Sequence, residues 1–310
     1  MIKWIFAGII IAVPVLMTGF TYFLFHMIFY KPKRSSKVPK AYMETLHYKV
    51  SHKGVALMKT IPSEDCYITS RDGLKLHAYL YPSDKDTGKK KFMIGIHGYK
   101  SYARPQFGAF IDFYRAEGYT MVLPDDRAHG PSEGTYIGFG VLDRLDCVDW
   151  ARYLVERFGE DIEILLHGVS MGSSTVLAAS AEADLPSQVM GVIADCGFTS
   201  AEEELGYELK SAFHIPLKPF LPWLERICER RIGIDFHTYS AIEQVKKAAV
   251  PILFVHGSKD LMVPVYMAQK LYDACSSRKQ LLIVKDAGHG ESVAYDPESY
   301  YSAVRDFFNL

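Results

Sequence analysis

Short apolar runs alternate with longer amphipathic stretches over most of this chain. The runs at 92–96, 120–123, 162–166, 189–194, 251–255 and 280–284 are rich in branched side chains. That is the pattern of strands buried on both faces of a parallel sheet. Between them, 104–117, 141–158, 173–183, 266–276 and 297–308 carry helical patterning. Ahead of this series, 66–70 and 74–81 alternate in character about Arg71-Asp72-Gly73, the mark of an antiparallel hairpin at a sheet edge. Strand and helix in alternation predict a doubly wound, mostly parallel α/β sheet.

Two stretches break the rhythm. Residues 4–30 hold no formal charge and are mostly apolar, long enough to cross a bilayer with some tilt. They exceed a signal-peptide core, and no small-x-small cleavage site follows. Trp4, Tyr22 and Tyr30 suit the membrane interface, and a single transmembrane helix is expected. The second stretch separates the run ending at 194 from the one starting at 251. Within it, 199–236 is rich in aromatics, and Pro216, Pro219 and Pro222 recur every third residue. A plain crossover does not need this length, so an inserted helical cap is expected at about 199–236. The predicted organisation is a transmembrane helix at 4–30, a basic juxtamembrane linker and bridging helix at 31–59, and a catalytic domain at 60–310.

Charge refines the picture. Six of the 35 Lys and Arg lie in the first 40 residues, and no acid precedes Glu44, so the remainder carries an acidic excess over its basic residues. That balance excludes a nucleic-acid-binding domain. Lys31, Lys33, Arg34, Lys37 and Lys40 follow the apolar stretch. They favour a catalytic domain on the cytoplasmic side of a cell membrane and suit contact with anionic headgroups. Five scattered cysteines form neither a disulfide framework nor a metal-ligand spacing.

The candidate chemistry centres on Gly168-Val-Ser-Met-Gly172, between a predicted strand and a predicted helix. Gly-x-Ser-x-Gly in that setting is a nucleophile elbow, which lifts a serine above the C-terminal edge of a sheet. Ser170 then needs a base and an orienting acid. Five of the eleven histidines precede glycine at predicted strand ends: His97, His129, His167, His256 and His289. The chain order Ser, acid, His selects His289 as base, on a small-residue loop after the last strand. Asp260, in the loop after 251–255, is the acid expected to orient it. Asp195 is its rival, and Asp286 is too near His289 in sequence to face its ring. The backbone N–H groups of Met171 and Tyr99 are the expected oxyanion donors.

Several motifs in order now carry a resemblance: Ser70-Arg-Asp-Gly-Leu-Lys-Leu76, His97-Gly98, Asp125-Asp-Arg-Ala-His-Gly-Pro-Ser132, the Ser170 elbow, Asp260 with Pro264, and Gly288-His-Gly290. Over about 60–310 the chain resembles the α/β-hydrolase superfamily, in particular its single-pass, membrane-anchored esterase and serine-peptidase-like members. The resemblance implies that Arg127 and His129 brace the loop beside the nucleophile, and it implies neither metal nor cofactor. It departs from the hormone-sensitive-lipase branch, whose extended Gly-rich oxyanion motif is absent.

The expected function is cleavage of a small acyl ester or thioester through an acyl-enzyme, with membrane lipid met by the N-terminal helix and basic linker. A peptidase is the close alternative, and a catalytically silent membrane scaffold the distant one. Phe213, Phe220 and Trp223 are expected to wall an acyl pocket above Ser170. The sequence leaves the natural substrate and the oligomeric state open.

Overall fold

A computed structural model describes residues 2–32, 43–85, 88–236 and 239–310, with side chains from residue 12 onward. Lys33, Arg34, Lys37 and Lys40 of the expected basic linker, and the side chain of Trp4, lie outside the described residues.

Eight strands form one sheet: β1 (Glu64–Thr69), β2 (Lys75–Tyr81), β3 (Lys90–Ile96), β4 (Tyr119–Asp125), β5 (Ile162–Val169), β6 (Val189–Asp195), β7 (Ile252–Gly257) and β8 (Lys279–Val284). Their order is β1-β2-β4-β3-β5-β6-β7-β8. The β1–β2 and β2–β4 pairings are antiparallel and the other five are parallel. The expected edge hairpin and parallel series are both present. The central strands are apolar because helices cover both faces, which leaves no solvated side to alternate.

On one face lie α5 (Asp143–Phe158), α6 (Met171–Ala179) and α9 (Ala241–Gln244), packing Cys147, Trp150, Leu154, Val176 and Leu177 on the sheet. On the other lie α3 (Ala103–Phe107), α4 (Ile111–Ala116) and the C-terminal helix Pro297–Phe308, through Phe107, Phe110, Tyr114, Tyr300 and Val304. The five cysteines are free and buried.

Helix α2 (Leu46–Met58) corrects the expected bridge at 31–59. Thr45 caps it, accepting from the Tyr48 N–H at 3.2 Å. It is layered onto the domain so closely that a Cβ on Gly54 would stand 1.8 Å from the Gly108 carbonyl oxygen. Its inward Ser51, Gly54 and Met58 are buried, so it is part of the fold rather than a spacer.

The segment between β6 and β7 forms the expected cap. Its helices are α7 (Ala201–Phe213) and α8 (Leu221–Ile232). The Ser200 hydroxyl caps α7 by accepting from the Glu203 N–H, and Pro222 sits in the first turn of α8, where a missing N–H costs nothing.

Helix α1 (Ile2–Phe29) contains the apolar stretch, and Ala12–Phe29 is long and apolar enough to cross a membrane. Its final two turns do something else. Thr21, Leu24, Phe25, Ile28 and Phe29 are buried, a stripe at helical spacing. They join a third apolar cluster with Phe139, Phe236 and the cap residues Leu205, Leu224 and Ile227. The backbone follows: the Ile137 N–H donates to the Phe29 carbonyl at 2.7 Å, and the Lys31 N–H to that of Thr135 at 2.9 Å. The C-terminal end of the expected 4–30 span is thus packed against the protein. The residues ahead of Thr21 still rise about 30 Å at 1.5 Å each, one hydrocarbon thickness.

Candidate active site

The elbow stands between β5 and α6. Ser170 has φ 59° and ψ −120°, a left-handed conformation that a non-glycine residue keeps only where its surroundings enforce it. Two glycines do so. A Cβ at Gly168 would lie 2.1 Å from the Gly172 carbonyl oxygen, and one at Gly172 would lie 2.0 Å from that of Ile96. The Ser170 N–H donates to the Asp195 carbonyl at 2.9 Å. Met171 opens α6, where first-turn N–H groups have no partner within the helix.

Ser170 Oγ lies 2.8 Å from His289 Nε2, and His289 Nδ1 lies 2.8 Å from Asp260 Oδ2. A carboxylate only accepts, so Nδ1 carries the ring proton and Nε2 is free to receive the serine's. Asp260 Oδ1 accepts from the Met262 and Val263 N–H groups at 2.9 Å each. His256, at the end of β7, adds Nε2 at 3.3 Å from Oδ2 and at 2.8 Å from the Val263 carbonyl. Burial by itself raises the Asp260 carboxyl. The hydrogen bonds from His256 and His289 outweigh it and hold the group well below the usual carboxylate range. The three residues chosen from chain order are therefore brought together from three separate loops.

Asp195 and Asp286 stand elsewhere. Asp195 accepts from the Ser292 hydroxyl at 3.4 Å beneath the elbow, and burial raises it to about 6. Asp286 pairs with Lys259 at 2.7 Å.

The loop after β3 faces the nucleophile, for a Cβ on Gly98 would stand 3.2 Å from Ser170 Cβ. His97 holds this loop: Nδ1 donates to the Gly98 carbonyl at 2.8 Å, and Nε2 accepts from the Asp126 N–H at 3.1 Å. Burial and neighbouring His129 push His97 down to about 3, so it stays neutral. Arg127 ties the adjoining loop to Asp146 at 2.7 Å and to Asp72 at 2.9 Å, and His129 Nδ1 donates to the Arg127 carbonyl at 3.0 Å. These are bracing contacts, as expected of Arg127 and His129. Tyr99 follows Gly98 directly. Its hydroxyl donates to the Ile28 carbonyl at 2.7 Å and Lys100 Nζ to that of Met27 at 2.7 Å, so the loop after β3 caps the C-terminus of α1.

The cap residues chosen for an acyl wall have other described surroundings. Phe213 is 58% exposed, Phe220 packs its ring 4.9 Å from Phe20 of α1, and Trp223 is half-buried on α8. None has a described contact with Ser170, Asp260 or His289. The reason is rotation about the helix axis: α8 turns Leu224, Ile227 and Cys228 inward, while its first turn meets α1. Sequence reasoning missed the acidic face of α7 and the brace from His256. The latter had a signal, since His256 precedes glycine at a strand end.

Among the described residues, Cys196, Asp260 and His289 lie close enough together to be weighed as metal ligands. The donor set does not suit one. Burial pushes the Cys196 thiol far above its ordinary range, keeping it protonated, and the other two are engaged with each other and, through His289, with Ser170.

The sequence profile of the prolyl oligopeptidase family matches residues 139–309, more than half of the chain. The Bacillus subtilis protein YqkD is 28% identical over 62% of this chain and 63% of its own length, so the chain spans less than two thirds of that relative. A Saccharomyces cerevisiae protein described as a membrane protein is 26% identical over 80% of each chain. Among solved structures, the Pyrococcus furiosus esterase Pf2001 superposes with a TM-score of 0.65 at 22% identity, covering 91% of this chain and 97% of that one.

Proposed function

This chain belongs to the prolyl oligopeptidase family of α/β-hydrolases, and from that premise we propose that it cleaves acyl esters or thioesters at a membrane surface through an acyl-enzyme on Ser170. The observation that carries the reading is the unbroken relay of 2.8 Å contacts from Ser170 through His289 to Asp260.

In this reading Ser170 Oγ attacks the substrate carbonyl as its proton passes to His289 Nε2. Asp260, already ionised, stabilises the imidazolium. The negative charge on the former carbonyl oxygen is met by the N–H groups of Met171 and Tyr99. Collapse of the tetrahedral intermediate releases the alcohol or thiol, protonated by His289. Water, deprotonated by the same ring, then frees the acid. No step calls for a metal or cofactor.

Substrate at the membrane is supported by α1. Its final turns are bonded to Tyr99 and Lys100, so the reacting centre lies close to where the helix leaves the bilayer. Amide hydrolysis is the second reading. The family name favours it, as does the fold shared with the acylaminoacyl peptidase of Pyrococcus horikoshii, at a TM-score of 0.59 over 43% of that chain.

A fluorophosphonate probe tests the nucleophile. Wild-type protein is expected to label and Ser170→Ala to lose the label while keeping its thermal transition. Labelling that persists in the variant places the nucleophile elsewhere. p-Nitrophenyl esters of graded chain length, set against aminoacyl anilides, then separate esterase from peptidase.

A further inference from the structure

Helix α7 shares an apolar cluster with residues that flank the reacting centre. Its inward Leu205 and Leu209 pack in one cluster with Met171, which follows the nucleophile, and Val263, which follows the acid. The same helix carries Glu202, Glu203, Glu204 and Glu208. Glu203 is accounted for, since it accepts from Lys270 Nζ and the Thr199 hydroxyl. The first-turn acids also complement the helix dipole.

The Glu204 and Glu208 side chains have no described hydrogen bond or ion pair, and Glu208 lies beyond the first turn. They stand four residues apart on one face, where like charges destabilise a helix. Glu204 is only 6% exposed, and its buried Oε2 has no hydrogen-bond partner. A carboxyl buried in that state is costly unless something completes it. Glu208, one turn further on, is half-exposed. The charged groups that act on Glu204 are all acids, namely Glu208, Asp260 and Glu203, and with burial they raise its carboxyl to about 8. Glu208 in turn lies within electrostatic reach of His289 and Asp260. A buried polar group left unsatisfied beside a reacting centre marks a place where stability has yielded to binding.

We propose that Glu204 and Glu208 form a cation subsite above the triad, which takes an ammonium group carried by the substrate near its scissile bond. Such a group brings both the positive charge and the N–H donors this face lacks. The ammonium belongs to the acyl part, as in an aminoacyl or peptidyl group, or to the alcohol part, as in an amine headgroup. The inference rests on Ser170 acting as the nucleophile.

The test uses the full chain in detergent micelles and two pairs of isosteric esters. Alanyl against 2-methylpropionyl 2-naphthyl ester places the charge on the acyl side. 2-(Dimethylamino)ethyl against 3-methylbutyl butyrate places it on the alcohol side. One pair is expected to show a preference in kcat/KM of roughly tenfold for the cationic member, the scale of one charge-assisted hydrogen bond. Glu204→Gln and Glu208→Gln, both near-isosteric, are each expected to bring that ratio towards one. A variant that slows both members of the pair in parallel acts on His289 or on folding, and that result overturns the subsite. So do ratios near one in the wild type for both pairs. Loss of fluorophosphonate labelling in the wild type sinks the hydrolase reading and this one with it. Labelling and neutral-ester turnover without cation preference sink this one alone.

Discussion

At the scale of single residues, two carboxyls near the reacting centre respond to pH in opposite senses. Asp260 is held below its ordinary range. Its contribution to stability is present above about pH 4 and fades as pH falls through the folded value. Glu204 is raised to about 8, so the folded state holds a proton that the unfolded state has lost. Stability therefore falls as pH rises from about 4.5 to 8. Glu204→Gln removes that titration. It is expected to raise the melting temperature at pH 8 by a few degrees more than at pH 5, given roughly 2–4 °C per kcal/mol for a chain of this class. An equal shift at both values would show that Glu204 is already satisfied. The rival acids are separable in the same way. Asp260→Asn withdraws the acceptor that fixes the His289 tautomer and is expected to lower kcat by about 10⁴. Asp195→Asn, whose side chain faces Ser292, is expected to lose at most about tenfold of kcat if its only role is to support the elbow through its neighbours. Reversal of that ranking would make Asp195 the acid.

At the scale of elements, α1 serves two environments. Up to Phe20 its described side chains are mostly exposed, and from Thr21 one stripe is buried in protein. Phe29 anchors the docked part, fully buried against Phe25, Phe139 and Phe236. Phe29→Ala removes about 3–5 kcal/mol of packing at such a site. The expected readout is local: amide exchange rises at Ile137, whose N–H donates to the Phe29 carbonyl, and turnover falls because Tyr99 loses its fixed partner. Unchanged exchange at Ile137 would show that the end of α1 is held by its backbone alone.

At the scale of the whole molecule, the cap, the end of α1 and Met171 share one apolar cluster, and Tyr99 packs its ring on Phe139 of that cluster; under the proposed function this sets the catalytic face beside the membrane. The basic residues that follow α1 in the sequence favour the cytoplasmic side. Protease added to intact cells is expected to spare residues 60–310. Their digestion would turn the hydrolase outward and leave the relation between site and bilayer intact.

The sequence by itself determined the sheet, the elbow and which serine, acid and histidine the fold brings together. Each of these is local: apolar runs report burial, glycines at 168 and 172 report a turn that excludes a Cβ, and chain order ranks the histidines. The sequence also placed a cap at about 199–236, because fifty residues do not fit a crossover. Only the tertiary structure decided which side chains the cap offers. The aromatic density of 213–224 pointed to an acyl wall, yet Phe220 packs on Phe20 of α1 and Phe213 is largely exposed. The glutamates of α7 read as ordinary acids of a helix start until the fold brought Glu204 within electrostatic reach of Asp260, and Glu208 within reach of Asp260 and His289. The end of α1 was likewise beyond the sequence, since apolar side chains read alike whether lipid or protein covers them.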